Sequence, residues 1–377
     1  MFTIYYSNNI DILLNLIKIQ IKKYPLKKIL EQELIICENY KNFSELIKIK
    51  FSNILGIYGN INFINFNKFI WNIFKIIIPN LSKNDFLYKK KIVWLIFLLI
   101  PELLSTIEFK NFRKNFKYKI KDTKYLFQLS EKISDLYDHY QKHKPELLLM
   151  WEKNKIEPLL KNKHQIWQAK LWQTLLIYYK NILHRKLWHY GKLYDFYQKN
   201  KKYKNFKYDF LPERVFILDI QNIPLIYLKL LKKLEKYIEI HILLYIPSKY
   251  YWDNSFYYKK NQKINFNKLL FLWGNYILDN INKLVDLSSR YIETFIKYNN
   301  VSLLNYIKND CLYVKENNIN FKKKKKIHYL DKSIQINICE DFYTEIKLLY
   351  NNILYTFKKN QNYFLHDIIV ISPKLKL

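Results

Sequence analysis

The sequence predicts an α/β protein: a parallel sheet with the element order of a P-loop-type fold, no phosphate loop, and a helical insertion. Three observations predict it. Strands and helices alternate over the first 80 or so residues, the same alternation returns from Arg214, and the stretch between is helical by periodicity. The domain expectation follows: 1–80 as the first part of an α/β lobe, 81–210 as a helical domain, and 211–377 as a second α/β portion truncated at its C-terminal end.

Phe2-Thr3-Ile4-Tyr5-Tyr6 alternates as a strand does. Ser7-Asn8-Asn9 then leads into a helix from about Ile10, with Ile10, Leu13, Leu14, Ile17 and Ile21 on one face. A nucleotide-driven motor needs a glycine loop ending in Gly-Lys-Ser/Thr at this junction, because backbone N–H groups must close around the phosphates. The four glycines, Gly56, Gly59, Gly191 and Gly274, lie elsewhere. The order of elements is a motor's; its chemistry is missing.

A second strand is expected at Glu33–Cys37, a helix over about 42–54, a short strand at Ile61–Phe63, and a helix from near Asn67 that stops at Pro79. Within the helical stretch, Leu126, Leu129, Ile133, Leu136 and Tyr140 make one clear stripe. Residues 199–210 interleave lysine with aromatics. They read as a solvated connector, or as a clamp for a single strand by stacking and charge. The run Lys322–Lys326 reads as an exposed loop. Val215–Leu218 is then a strand, Pro224–Tyr237 a helix, and Ile238–Tyr245 a strand with almost no polar face, as in a buried parallel sheet. Strand Ser333–Cys339, helix Phe342–Phe357 and strand Asp367–Ser372 repeat the pattern, and the sequence ends five residues later, which suggests a fragment.

Half of the 377 residues are apolar, which excludes wholesale disorder, and the formal net charge of +32 favours a polyanionic partner. Of the 64 basic residues counted as Lys or Arg, only Arg113, Arg185, Arg214 and Arg290 are arginines, and Ala169 is the single alanine. Ile, Asn, Lys, Tyr and Phe come from A/T-rich codons, so part of the lysine content has a compositional origin. Cys37, Cys311 and Cys339 are widely spaced and odd in number, as thiols of a reducing compartment are. The longest apolar run, Ile92–Ile100, is half a membrane span and is expected to be a buried helix. No membrane partner is expected, and the location expected is cytoplasmic.

Seven short motifs in order carry a resemblance: Tyr5-Tyr6-Ser7-Asn8, Phe69-Ile70-Trp71-Asn72-Ile73-Phe74, Leu126-Phe127-Gln128-Leu129-Ser130, Arg214-Val215-Phe216-Ile217, Tyr237-Ile238-Glu239-Ile240-His241, Tyr250-Tyr251-Trp252 and Asp367-Ile368-Ile369-Val370. From Met1 to about Ser372 the chain resembles the N-terminal part of the RecC family, the gamma subunits of the exodeoxyribonuclease V (RecBCD) helicase–nuclease. The segment between Trp252 and Leu269 is shorter than the family's, and everything beyond the first third or so of a family chain is absent.

The resemblance implies an inactive superfamily 1 helicase-like fold and a non-catalytic role. In that reading the chain has no cofactor, ATPase site or nuclease site of its own, and ATP and Mg²⁺ belong to RecB-like and RecD-like partner subunits. Double-stranded DNA ends and single-stranded DNA are the implied ligands, the 3′-ended strand passing through a channel where the Chi sequence is read. Trp71, Asp135, Leu136 and Asp138 match channel positions, and Lys144 stands where the family carries arginine, keeping the charge without the planar fork. Read from the residues alone, Trp71 is a core tryptophan of an apolar helix or a base-stacking ring, and the acidic pair is a solvated helix face or a reader of base amino groups. Other positions depart from the family: Glu38 to Glu45 replaces a glutamine-bearing stretch, and Tyr190 replaces an arginine after Trp188-His189. A glutamine and an arginine read bases differently from a glutamate and a tyrosine, so strand guidance is expected to survive these changes while recognition of the usual Chi sequence is left open.

His139 and His143, with Asp135 a turn away, and His184 with His189 have spacings that could hold a metal, yet no further ligand is evident. Asp122, Asp209, Asp219 and Asp331 are scattered and make no two-metal centre. Two other outcomes stay open beside the subunit reading, a stand-alone basic DNA-binding module and a decayed, non-functional remnant.

Overall fold

The computed structural model describes residues 2–28, 31–37, 40–56, 59–78, 81, 89–155, 163–183, 188–199, 210–218, 223–252, 267–285, 290–315, 327–359 and 363–372. They fall into two compact units. The first is Met1–Lys297 with Asp310–Asn318, and the second is Tyr298–Asn309 with Ile319–Leu377.

The first unit is built on a six-stranded sheet in which every described pairing is parallel. Its strands are β1 (Phe2–Ser7), β2 (Glu33–Ile36), β3 (Ile61–Ile64), β4 (Arg214–Leu218), β5 (Glu239–Tyr245) and β6 (Arg290–Glu293), in the order β3-β2-β4-β5-β1-β6. A parallel sheet covered on both faces needs strands apolar on both sides. β1 and β4 are buried at every position, so the alternation of the first strand is between two cores rather than between core and water. Phe2, Ile4 and Tyr6 join Val215, Ile217, Ile240 and Ile242 on one face; Tyr5, Ile35, Phe216 and Leu243 line the other.

Helices α1 (Ile10–Lys23) and α2 (Tyr40–Leu55) cover the Tyr5 face through Leu13, Leu14, Ile17, Ile47 and Phe51. The helix α3 (Phe66–Ile77) covers the other face. Asn65 caps it by accepting the Lys68 N–H at 2.7 Å, a favourable N-cap.

The helical stretch contains α4 (Lys89–Leu103), α5 (Lys110–Phe116), α6 (Thr123–His143), α7 (Pro145–Glu152), α8 (Lys163–Leu183) and α9 (Tyr190–Lys199). It has its own core, centred on the fully buried Trp151, Trp172, Tyr137 and Phe112. The apolar run Ile92–Ile100 lies in α4 as expected, with Trp94 and Leu98 left exposed. Among the described residues no helix is long and apolar enough to cross a membrane. The buried face of α6 is rotated from the leucine stripe: Leu126, Ser130, Ile133, Ser134, Tyr137 and Gln141 are buried, while Leu129, Leu136 and Tyr140 are half-buried. The small serines let α4 approach, and the Ser134 hydroxyl donates to the Lys89 carbonyl at 3.1 Å.

The chain returns to the sheet through β4, followed by α10 (Leu225–Leu234), β5, α11 (Lys268–Trp273), α12 (Asn275–Val285), β6 and α13 (Leu303–Leu312). β6 was not foreseen. Its Arg-Tyr-Ile-Glu sequence is short, polar and largely exposed, which is how an edge strand is written.

The second unit corrects two expected strands. Among its described residues, 333–339 forms no strand, with a bend at its start, and 368–372 follows a short 3₁₀ turn at Leu365–Asp367 without forming one either. Ile334, Ile336 and Ile338 do alternate, but Ile338 is 97 % exposed. Period two makes a strand only where a neighbour accepts its hydrogen bonds. The intervening helix α14 (Phe342–Lys359) forms where expected and buries none of its residues.

Candidate functional site

The turn after β1 is where a phosphate loop would stand, and polar side chains tie it to the segment after β6. The Ser7 hydroxyl donates to the Thr294 carbonyl at 2.7 Å. The Asn8 amide donates to the Ile296 carbonyl at 2.7 Å and accepts the Ile296 N–H at 2.9 Å. Asn9 caps α1 by accepting the Asp11 N–H at 2.8 Å. The α1 N-terminus therefore meets its own side-chain cap.

The residues singled out from the sequence lie on α3 and on the C-terminal half of α6. Trp71 is 6 % exposed and belongs to the core on the α3 face of the sheet. Asp135 is exposed and ion-paired with Lys89 at the start of α4; that hydrogen bond is the main cause of a raised Lys89 pKa. Asp138 is paired with Lys142 at 2.6 Å, one helical turn away. Leu136 is half-buried. Lys144 is exposed and ends α6, its N–H donating to the Tyr140 carbonyl at 2.9 Å before Pro145 opens α7.

A buried tyrosine on α10 reaches α3 and feels the charge of Asp138. The Tyr227 hydroxyl on α10 donates to Asn67 Oδ1 at 3.1 Å, one turn before Trp71, and its ring packs against Tyr190 with centroids 5.4 Å apart. Burial first, then Tyr190 and the Asp138 carboxylate, hold the Tyr227 phenol well above its usual pKa. Tyr190 therefore fills a structural place here, between the helical stretch and the sheet.

His139 and His143 stack at 4.4 Å with their planes 28° apart. Burial lowers the His143 pKa, with His139, Lys283 and Lys142 adding to the effect and Asp138 opposing it. His189 is wholly buried and binds Glu152 Oε1 at 2.6 Å, with Lys192 3.4 Å from the other oxygen; His184 lies outside the described residues. Among the described residues no three metal-capable side chains come together. Asp122 caps α6 and Asp331 caps a turn at Leu303, while Asp209 and Asp219 lie outside the described residues.

One residue of this neighbourhood was not singled out from sequence. Gln141 is buried, and neither its amide nitrogen nor its oxygen has a hydrogen-bond partner among the described residues. A glutamine on a helix between Tyr140 and Lys142 gives no signal that it points inward. Of the stretch that departs from the family, Glu38 and Asn39 lie outside the described residues, and Ser44 is buried on α2.

The family model described as RecC, N-terminal domain, matches residues 2–314. The chain belongs to the RecC family. Curated RecC relatives extend the match toward the C-terminal end. The protein described as RecBCD enzyme subunit RecC from Buchnera aphidicola subsp. Schizaphis graminum (strain Sg) is 34% identical over 391 residues, covering 100% of this chain and 34% of the relative. The RecBCD enzyme subunit RecC of Escherichia coli (strain K12) is 28% identical over 415 residues, covering 98% of this chain and 37% of the relative. The chain thus spans about a third of the length of the RecC proteins it matches.

Proposed function

We propose that this RecC-family chain is a non-catalytic, DNA-engaging subunit of a RecBCD-type exodeoxyribonuclease V, working with RecB-like and RecD-like partners in the cytoplasm on double-strand breaks. The family match over residues 2–314 carries the reading. The Ser7–Asn9 turn supports it, because side chains and a helix cap use the groups that a phosphate cradle would offer. In this reading ATP, Mg²⁺ and nuclease chemistry reside on the partners.

The sheet is then an inactive superfamily 1 helicase-like lobe, and residues 81–210 are a domain inserted into it. The return of the chain through β4 to pair with β2 supports the insertion. Single-stranded DNA runs along the α6 side, where Asp135 and Asp138 accept from base amino groups, Lys144 meets a phosphate, and Leu136 and the edge of Trp71 give apolar contact.

Co-purification with the RecB-like subunit of the same genome, with and without a DNA end, tests this reading. A stable complex supports it. A soluble, folded chain that ignores the subunit overturns it in favour of a stand-alone DNA binder.

A further inference from the structure

Near its end, α6 carries two imidazoles with no hydrogen-bond partner among the described residues. His139 is exposed and His143 half-buried, and their rings stack at 4.4 Å with planes 28° apart. Elsewhere in the chain the ring nitrogens are in use. His189 Nε2 lies 2.6 Å from Glu152 Oε1 while its Nδ1 accepts the Lys192 N–H at 3.3 Å. His241 Nδ1 lies 3.0 Å from the Tyr5 hydroxyl, and His328 Nδ1 accepts the Leu330 N–H at 3.3 Å.

The spacing suits a chelate. Side chains four residues apart on a helix project side by side, and this spacing supplies two ligands in helical zinc sites. From the stacked arrangement, a small torsional change brings one nitrogen of each ring to the separation of about 3 Å that two bonds of about 2.0–2.1 Å to one ion require. Imidazole nitrogens select first-row transition ions, whereas Mg²⁺ and Ca²⁺ demand oxygen. Water would fill the remaining positions, as it does in an open site.

The surrounding charges set the strength. Asp138 and Lys142 pair with each other at 2.6 Å and leave no net charge, and Asp135, one turn before His139, is held by Lys89 and supplies no ligand. Lys283 on α12 is close enough to act on His143 and opposes an incoming cation. The C-terminal end of α6, the negative pole of the helix, favours one. We propose that His139 and His143 form a chelating site for one divalent transition-metal ion, Ni²⁺, Cu²⁺ or Zn²⁺, which ties together the last two turns of α6 before Pro145 opens α7.

The test is calorimetric titration of the full, untagged chain with NiCl₂, and with MgCl₂ as the contrast. Saturable Ni²⁺ binding at roughly 1–200 µM is expected, because two ligands supply about half the binding free energy of a four-ligand structural site. His139→Asn and His143→Asn should each weaken it at least about tenfold, the lower bound for losing even an outer-shell partner. His139→Asn alters an exposed position, so the test stands even where His143→Asn folds poorly. Electron paramagnetic resonance with one equivalent of Cu²⁺ should show couplings to two imidazole nitrogens in the parent chain and to one fewer in His139→Asn. The melting temperature should rise with Ni²⁺ and return with EDTA. No saturable Ni²⁺ binding, an affinity that His139→Asn leaves unchanged, or an equal response to Mg²⁺ overturns the proposal.

Discussion

Arg214 and Glu33 form a buried ion pair across the β4–β2 junction, with the guanidinium Nε 3.2 Å from Glu33 Oε2 and a second, closer contact through the other nitrogen. The same guanidinium donates to the Tyr24 carbonyl at 2.9 Å, so the end of α1 is tied to the first residue of β4. Burial raises the Glu33 pKa, and Arg214 opposes that rise. The pair joins chain segments on either side of the whole helical excursion.

Breaking that pair from one side leaves a charge in the core. Glu33→Ala is expected to destabilise the chain by about 3–5 kcal/mol, because the guanidinium loses its counter-charge. Replacing both residues with leucine should cost less than the single change. Urea midpoints of the two variants check the order.

The Asn8–Ile296 exchange gives a second expectation. Asn8→Ala deletes a donor and an acceptor together and strands one backbone N–H and one carbonyl. The expected cost is about 1–3 kcal/mol. Thermal melting should fall, and amide exchange should accelerate at Ile296 more than in α8.

A pH dependence follows from His241. Its ring stacks on Phe216 at 5.1 Å and its Nδ1 lies 3.0 Å from the Tyr5 hydroxyl, while burial, then Arg214, depress its pKa to about 4. A histidine that is harder to protonate in the folded than in the unfolded state takes up protons preferentially on unfolding. Its contribution is therefore constant above about pH 6.5, declines between about 6.5 and 4, and levels off below, for about 3 kcal/mol in all. His241→Phe should lose part of its stability at pH 7 but show a shallower decline between pH 7 and 4 than the parent chain, as read by urea midpoints at each pH.

Gly274 joins α11 to α12 against the Trp252 indole. A Cβ there would lie 2.6 Å from Trp252 Nε1 and still closer to the Leu270 carbonyl oxygen. Backbone cannot retreat as a side-chain tip does, so Gly274→Ala is expected to cost about 1–3 kcal/mol through overpacking. The accompanying signature is a change in indole fluorescence.

On the α6 side, Lys144→Ala should weaken single-strand binding across all sequences and reduce the slope of log affinity against log salt by about 1. Asp135→Asn should change base preference with little change in that slope. Filter binding across a salt series separates the two effects.

The strands buried on both faces were the most plainly legible, though the edge strand at Ile61–Phe63 was foreseen as well. Val215–Leu218 and Ile238–Tyr245 are apolar enough that only a covered parallel sheet suits them, and both pair as such. Arg290–Glu293 was hidden because an edge strand carries polar residues, and Ser333–Cys339 misled because alternation does not reveal whether a partner strand exists. On α6 the leucine stripe marked the helix but not its buried face, which Ser130 and Ser134 take because close packing against α4 favours small side chains. Asp135 and Asp138 were found by resemblance, whereas their cations Lys89 and Lys142 depend on helix packing and turn geometry. Gln141 owes its interest to unmet hydrogen bonds, which only coordinates disclose.

The placement of β1 between β5 and β6 has a consequence for how the chain is made. β1 pairs with residues 239–245 and 290–293, so during synthesis it has no sheet neighbour until the chain has grown past Glu239. At about 5–20 residues per second that interval is about 10–50 s. The helical stretch, with its own local core, closes in the meantime. Phe2, Ile4, Tyr5 and Tyr6 spend that time as an unmatched apolar ribbon, a segment that a chaperone would have reason to cover.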